Sequence, residues 1–142
     1  MRLQIFIAIS LIVIFKNVDA KMTIEEIKKF LVPMKNSCMK KFTIDEALVD
    51  GTTNGEFPED ENLMCFMKCM LTMMKMIKNG EILLTAIFTQ VDLMIPDELT
   101  DKLKEVLTQC HGQVEPIEQQ CEKAFEFAKC LYMADSELYF FF

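Results

Sequence analysis

The chain has 142 residues, and its 15 lysine and arginine residues against 22 aspartate and glutamate residues leave a formal net charge of −7. An acidic surface repels phosphate groups, so the composition argues against nucleic acids and anionic membranes as partners. A chain of this length suits one domain with its own core, and hydrophobic residues make up 51% of it.

The first 20 residues have the features of a secretory signal peptide. Arg2 precedes an apolar run from Ile5 to Phe15, and Ala20 is the small residue that signal peptidase requires. The run is shorter than the roughly 20 apolar residues that span a bilayer, which disfavours a membrane anchor. We therefore predict a signal peptide over residues 1–20 and a secreted, extracellular domain over residues 21–142.

The rest of the chain has a helical pattern, with no alternating strand segment. Thr23 and Glu26 form a capping box that begins the first predicted helix, and Pro33 is expected to kink or divide that helix. A second box at Thr43 and Glu46 predicts a short helix with Gly51 as its C′ residue. The apolar face of the first helix consists of Ile24, Ile27, Phe30, Leu31 and Met34.

Four further helices are predicted after a polar loop at residues 50–62. The third ends at Asn79 and Gly80, and the fourth covers residues 81–93. Prolines begin the fifth helix, at residues 96–111, and the sixth, at residues 116–133. The aromatic run from Tyr139 to Phe142 would be a poor exposed patch, so we predict that it folds back over a cavity as one wall or a lid that gates ligand release with pH.

The third helix is apolar on most of its circumference. Its polar residues Lys68, Thr72 and Lys75 fall within one arc of a helical wheel, which predicts a central helix. Met67, Leu71 and Met74 lie roughly opposite the cysteines of this helix. Methionine adapts to irregular spaces, so we predict that this face lines a cavity.

The chain contains six cysteines, and an even number of cysteines in a small secreted chain indicates that all are paired, here in three disulfides. Cys65 and Cys69 are separated by one helical turn, and their Cβ atoms are about 5–6 Å apart, too far for the roughly 3.8 Å of a disulfide. Cys121 and Cys130 are about 13 Å apart along one helix, so they cannot pair either. The other pairings remain open.

A metal site and an enzyme are the two alternatives to a disulfide-linked binding domain. A metal site would use Cys65, Cys69, Cys110 and His111, but cysteines in a secreted chain are normally oxidised. The segment Cys110–Gln113 has a superficial likeness to secreted phospholipases A2. However, Gly112 replaces the aspartate that should follow the histidine, and no glycine-rich calcium loop is present.

The spacing Cys38-x26-Cys65-x3-Cys69-x40-Cys110-x10-Cys121-x8-Cys130 resembles that of the insect odorant-binding protein family. The resemblance covers the whole of residues 21–142. It implies an all-α, six-helix compact shell around an apolar cavity. It also implies three interlocked disulfides, Cys38–Cys69, Cys65–Cys121 and Cys110–Cys130.

The resemblance also implies a function: a non-enzymatic extracellular carrier without cofactor or metal, binding odorants, pheromones or fatty acid-like molecules. An olfactory receptor is an implied partner, and the chain is expected to be a monomer or homodimer. The alternative is a secreted interaction or signalling protein on the same scaffold without a small ligand. Thr72 and Tyr139 are the candidate hydrogen-bond partners of a ligand. The predicted ligand-binding residues are Leu31, Met67, Leu71, Met74, Ile77, Leu103, Leu107, Ala128, Leu131, Tyr139 and Phe140.

Overall fold

The computed structural model of the protein describes residues 21–142, so the predicted signal peptide lies outside the described residues. Two 3₁₀ turns and a two-stranded hairpin accompany six α-helices within this range, and the predicted all-α fold is confirmed. The helices are α1 (Ile24–Phe42), α2 (Glu46–Gly51), α3 (Glu61–Met73), α4 (Leu84–Met94), α5 (Asp97–Val114) and α6 (Gln120–Ala134). The 3₁₀ turns are Thr52–Asn54 and Ser136–Leu138, and the strands are β1 (Ile77–Lys78) and β2 (Glu81–Ile82).

Helix α3 is the central element, as predicted. It packs against α1 on one side and α6 on the other, while α5 contacts both α4 and α6. Its buried side chains are spread around the helix rather than along one stripe, because neighbouring elements cover most of its circumference. The buried residues are Leu63, Phe66, Met67, Met70 and Leu71.

Three disulfides connect the helices with the predicted pairing. Cys38–Cys69 joins α1 to α3, Cys65–Cys121 joins α3 to α6, and Cys110–Cys130 joins α5 to α6. The sequence separations are 31, 56 and 20 residues, and each bridge is expected to contribute about 2–4 kcal/mol by restricting the unfolded chain. The elements that surround the interior are therefore tied to one another independently of core packing.

Helix α1 begins at the predicted capping box and continues through its proline. The Glu26 N–H donates to Thr23 Oγ1 at 3.3 Å, and the Thr23 N–H donates to Glu26 Oε2 at 2.8 Å. The helix runs for 19 residues with Pro33 inside it, so Pro33 does not divide the helix, and a kink there stays a prediction. Proline removes one backbone hydrogen bond, whereas Leu31 and Cys38, buried on either side of it, hold both halves of the helix in place.

The second helix begins two residues later than a cap at Thr43 would place it. Asp45 is the N-cap, and its Oδ1 accepts a hydrogen bond from the Ala47 N–H at 2.9 Å. Thr43 instead terminates α1 in the left-handed region, with φ of 51°, and cannot also cap the next helix. Gly51 is the last helical residue of α2, with φ of −54°, so its predicted role as a left-handed C′ residue is wrong.

Helix α3 ends at Met73, several residues before the predicted end at Asn79 and Gly80. Asn79 and Gly80 form the turn between β1 and β2, with φ of 54° and 85°, the signs that a type I′ hairpin requires. A Cβ added at Gly80 would collide with the Gln120 side chain. This hairpin delays α4 to Leu84. Two other helices differ from their predicted bounds: α5 extends to Val114, beyond residue 111, and α6 begins at Gln120, later than residue 116.

Candidate ligand-binding cavity

An apolar cavity of about 210 Å³ lies between α1, α4, the turn after α3 and the C-terminal tail. Helix α1 contributes residues at i, i+3, i+4 and i+7, which lie on one face of a helix. These are Ile27, Phe30, Leu31 and Met34. The last residue of α3 and the turn after it contribute Met73, Met74, Lys75 and Met76. Helix α4 with its C-cap contributes Gln90, Val91, Met94 and Ile95. Phe141 completes the wall.

The cavity has a buried floor and an open mouth. Ile27, Val91 and Ile95 are buried and form the floor. At the mouth, Phe30 and Met73 remain 50% and 40% exposed. Large apolar side chains on both the floor and the rim give a hydrophobic ligand a continuous apolar path from the surface.

Five methionines make the lining adaptable. Ligand sites usually measure about 300–1,000 Å³, so the cavity as it stands is small. Thioether side chains have three rotatable bonds and fill irregular gaps, so they can change rotamer to admit a larger guest. The five are Met34, Met73, Met74, Met76 and Met94.

Two polar residues accompany these apolar side chains in the lining. The Gln90 amide donates to the Met74 carbonyl oxygen at 2.6 Å and ties α4 to the turn after α3. Lys75 is exposed and, within residues 21–142, is the one charged residue that lines the cavity. The chemistry of the lining is therefore that of an apolar chamber with a cation at its edge.

The C-terminal tail folds back against the helices, as predicted. Tyr139, Phe140 and Phe141 are buried, and Phe141 forms part of the cavity wall. Asp135 begins the tail with an ion pair to Lys102 of α5, and the hydrogen bond from that lysine holds the pKa of Asp135 below its usual range. Gating of the cavity by this tail stays a prediction.

The predicted ligand-binding residues occupy four environments. Leu31 and Met74 line the cavity. Tyr139 and Phe140 border an adjacent groove, which shares Leu31 and Phe141 with the cavity. Ile77 lies on β1 and pairs with Ile82. The others are buried in the core outside the cavity lining, and their contact with a ligand stays a prediction. They are Met67, Leu71, Leu103, Leu107, Ala128 and Leu131.

The two candidate hydrogen-bond partners are engaged within the protein. Thr72 is exposed, outside the lining, and donates to the Lys68 carbonyl oxygen at 2.7 Å. Tyr139 donates to Thr52 Oγ1 at 3.0 Å. Burial raises the pKa of Tyr139 well above its usual range, so the phenol stays neutral.

The contribution of α4 to the cavity was missed from the sequence. The signal for it is the helical spacing of Val91, Met94 and Ile95. The dipeptide Asn79–Gly80 is a strong hairpin signal and would have placed the end of α3 earlier. An earlier end puts Met74 to Met76 in a turn, where consecutive residues can face one chamber.

The metal alternative is wrong, because Cys65, Cys69 and Cys110 are all oxidised to disulfides. The proposed fourth ligand, His111, lies with Nε2 at 3.2 Å from the Ile82 carbonyl oxygen. Among residues 21–142, the structure brings no three histidine, cysteine or acidic side chains together in a metal-binding cluster. Over the same range, no helix is both long and apolar enough to cross a membrane.

A disulfide-linked six-helix shell around an apolar chamber defines a class of small-molecule-binding proteins. The model of the PBP/GOBP family matches residues 20–134, and the chain belongs to this family. General odorant-binding protein 72 of Anopheles gambiae is 23% identical over 118 residues, covering 83% of this chain and 98% of the relative. General odorant-binding protein 19a of Drosophila melanogaster is 27% identical over 101 residues, covering 69% of each chain.

Solved structures agree with this assignment. Odorant binding protein 5 of Apis mellifera superposes with a TM-score of 0.76 at 31% identity, covering 82% of this chain and 95% of that one. Odorant Binding Protein 4 of Chrysopa pallens superposes with a TM-score of 0.75 at 29% identity, covering 84% and 98%. Members of the family are non-enzymatic carriers. Family membership therefore confirms that the protein is not an enzyme.

Proposed function

We propose that the protein is a secreted carrier that takes small hydrophobic molecules, such as odorants, pheromones or related lipids, into this cavity and moves them through aqueous fluid. The observation that carries the proposal is the apolar chamber between α1, α4, the turn after α3 and Phe141. Proteins of this family are secreted and bind small hydrophobic ligands, which supports the same function here. Olfactory receptors are the proposed recipients of the ligand.

The size of the chamber sets an expectation for affinity. A volume of 210 Å³ holds roughly seven methylene-sized groups at about 30 Å³ each, the share of a water molecule. Seven buried methylenes gain about 6 kcal/mol before the cost of lost ligand freedom, whereas micromolar affinity needs about 8 kcal/mol net. We therefore expect micromolar ligands to displace the lining methionines and occupy a larger space than the empty cavity.

Displacement of the apolar fluorophore N-phenyl-1-naphthylamine by a series of linear alcohols tests the function. Val91→Phe places a ring on the buried floor, so we expect weaker binding of the fluorophore and of every alcohol. Leu93→Gln is the matched control, because Leu93 lies on the same helix at the surface, outside the cavity lining. Saturable binding that is insensitive to Val91→Phe would contradict the assigned site.

Absence of any binding would favour the alternative, an interaction or signalling protein on the same scaffold. Size-exclusion chromatography with light scattering of the same samples distinguishes a monomer from a homodimer.

We also propose that residues 1–20 are removed during secretion. N-terminal sequencing of the exported protein should then begin at Lys21, and a product that retains Met1 would contradict that boundary.

A further inference from the structure

A lysine lies at the mouth of the cavity. Lys75 lies between Met74 and Met76 in the turn after α3, where all three residues line the chamber. Its side chain is exposed, so the ammonium group is hydrated while the neighbouring lining is apolar. The alkyl chain of a ligand that enters the chamber passes this cation.

The backbone at Lys75 is one that normally favours glycine. Lys75 has φ of 58°, its N–H donates to the Thr72 carbonyl oxygen, and the Met76 N–H donates to the Leu71 carbonyl oxygen. This is a Schellman motif with Lys75 at C′. A side chain in the left-handed region costs free energy that glycine avoids. A lysine is therefore held where local backbone energetics disfavour it.

No carboxylate within residues 21–142 forms an ion pair with this cation. Some lysines within residues 21–142 form ion pairs, including Lys28 with Glu25, Lys35 with Asp50 and Lys104 with Asp92, whereas others, such as Lys78, form none. Lys75 forms none with any acidic residue in the range 21–142. In the part of the chain that the structure describes, no aspartate or glutamate lines the cavity. An anionic head group at the mouth would meet no competing carboxylate there.

The turn that carries Lys75 is fixed on both sides. The Leu83 N–H donates to the Met76 carbonyl oxygen at 2.8 Å, which closes the base of the hairpin. Lys123 Nζ of α6 donates to Glu81 Oε2 at 2.9 Å and holds the second strand. The Gln90 amide holds the Met74 carbonyl oxygen from α4. Because the backbone of the turn is held in place, the position from which the lysine extends is defined.

We propose that the cavity selects single-chain amphiphiles with a carboxylate head, and that Lys75 is the residue that binds this head group. The apolar tail occupies the chamber between α1 and α4, and the carboxylate stays at the hydrated mouth beside Lys75 Nζ. This proposal rests on the proposed carrier function and adds the chemical class of the ligand. Charge-assisted hydrogen bonds from an ammonium to a carboxylate are stronger than neutral ones, which favours an acid over the alcohol of equal length.

Three eight-carbon ligands that differ only in the head group test the proposal: octanoate, 1-octanol and octylamine. The displacement of N-phenyl-1-naphthylamine by each ligand is measured at pH 7 and low salt. The proteins compared are the wild type, Lys75→Gly, Lys75→Glu and Lys78→Gln. Lys78→Gln is the matched control, because Lys78 is an exposed lysine of the same hairpin outside the cavity lining. Glycine at position 75 suits the left-handed backbone, so Lys75→Gly is expected to stay folded, and its melting temperature checks this.

We expect the wild type to prefer octanoate. An ion pair in water is worth up to about 1 kcal/mol, or roughly fivefold in affinity. The ratio of octanoate to octanol affinity should therefore fall about fivefold in Lys75→Gly and stay unchanged in Lys78→Gln. Lys75→Glu should prefer octylamine over octanoate, and high salt should shrink each preference.

The outcomes separate this proposal from the carrier function. Equal ratios of octanoate to octanol affinity in the wild type and Lys75→Gly would overturn the role of Lys75 while leaving the carrier intact. An equal fall in Lys78→Gln would show a general effect of net charge and would also overturn it. If none of the three ligands displaces the fluorophore from the wild type, the carrier function fails, and this proposal fails with it.

Discussion

The Tyr139 hydroxyl donates a hydrogen bond to Thr52 Oγ1 at 3.0 Å across 87 positions of sequence. Thr52 Oγ1 in turn donates to the Val49 carbonyl oxygen at 2.7 Å, so the C-terminal tail is joined to the end of α2 by two consecutive buried hydrogen bonds. The Tyr139 ring also contacts the rings of Phe57 and Tyr132. The tail is thus held by a polar contact inside an aromatic cluster, next to the cavity wall.

Tyr139→Phe should lower the free energy of unfolding by about 1 kcal/mol, the usual net contribution of a neutral hydrogen bond. Thr52 keeps its bond to the Val49 carbonyl oxygen, so no buried hydroxyl is left without a partner. Urea denaturation measures the change. Tyr132→Phe is the control, because no hydrogen bond of the Tyr132 hydroxyl occurs within residues 21–142. Equal losses in both variants would show that the Thr52 contact contributes nothing.

Phe141→Ala should shift the preferred ligand to longer chains. Phe141 and Leu31 separate the cavity from the groove that Tyr139 and Phe140 border, so removing the ring extends the chamber. We also expect a loss of about 3 kcal/mol in stability, at the low end for Phe→Ala substitutions, because the ring already borders empty space. Displacement of the fluorophore by linear alcohols of about 6 to 16 carbons gives the length optimum, because each buried methylene adds about 0.8 kcal/mol to binding.

Phe142→Ala is the matched control for that series. Phe142 borders the groove but is outside the cavity lining, and the length optimum should not move. An unchanged optimum in Phe141→Ala as well would mean that the tail is packed there without limiting the ligand.

Glu81→Gln should destabilise the protein through Lys123, whose side chain is only 6% exposed while that of Glu81 is 67% exposed. Fully buried pairs lose about 3–5 kcal/mol when one partner is removed, and the hydrated carboxylate reduces this to about 1–2 kcal/mol. Lys123→Met removes the buried charge and should cost little. In the Lys123→Met background, Glu81→Gln should have almost no effect, and additive losses in the double variant would contradict the coupling.

The ion pair between Asp135 and Lys102 should make stability depend on acid. The hydrogen bond from Lys102 and the Glu137 N–H lower the pKa of Asp135 in the folded state. A lowered pKa stabilises the fold above the unfolded value of about 3.9, and this stabilisation is lost as the pH falls through the folded pKa. At pH 7, Asp135→Asn should therefore melt at a lower temperature than the wild type, and the difference between the two melting temperatures should shrink near pH 2. A constant difference between the two at all pH values would contradict this.

Lys75→Gly should raise the free energy of unfolding by up to about 1 kcal/mol, because glycine enters the left-handed region without a steric cost. Asn79→Gly is the comparison: Asn79 has φ of 54°, but asparagine tolerates this conformation, so the gain should be smaller. Urea denaturation of both variants checks the order. A loss of stability in Lys75→Gly would mean that the lysine side chain makes a stabilising contact.

Much of the architecture follows from local sequence signals. Thr23 and Glu26 satisfy each other's backbone within one turn, so their capping box is visible without any tertiary information. The disulfide pairing came from the resemblance in cysteine spacing, and helix geometry alone left several pairings open. Pro33 shows the opposite case, because packing of Leu31 and Cys38 outweighs one lost hydrogen bond.

The sequence by itself determined the helical class, the oxidised cysteines and the central, apolar nature of α3, because helical periodicity and cysteine spacing depend on neighbours along the chain. Only the tertiary structure decided where the chamber lies. A cavity is the space left when several elements fail to fill a region, and no single helical wheel contains it. Met74 and Leu31 were in the predicted lining, whereas Val91 of α4 and Lys75 in its left-handed turn joined it only through the arrangement of distant elements.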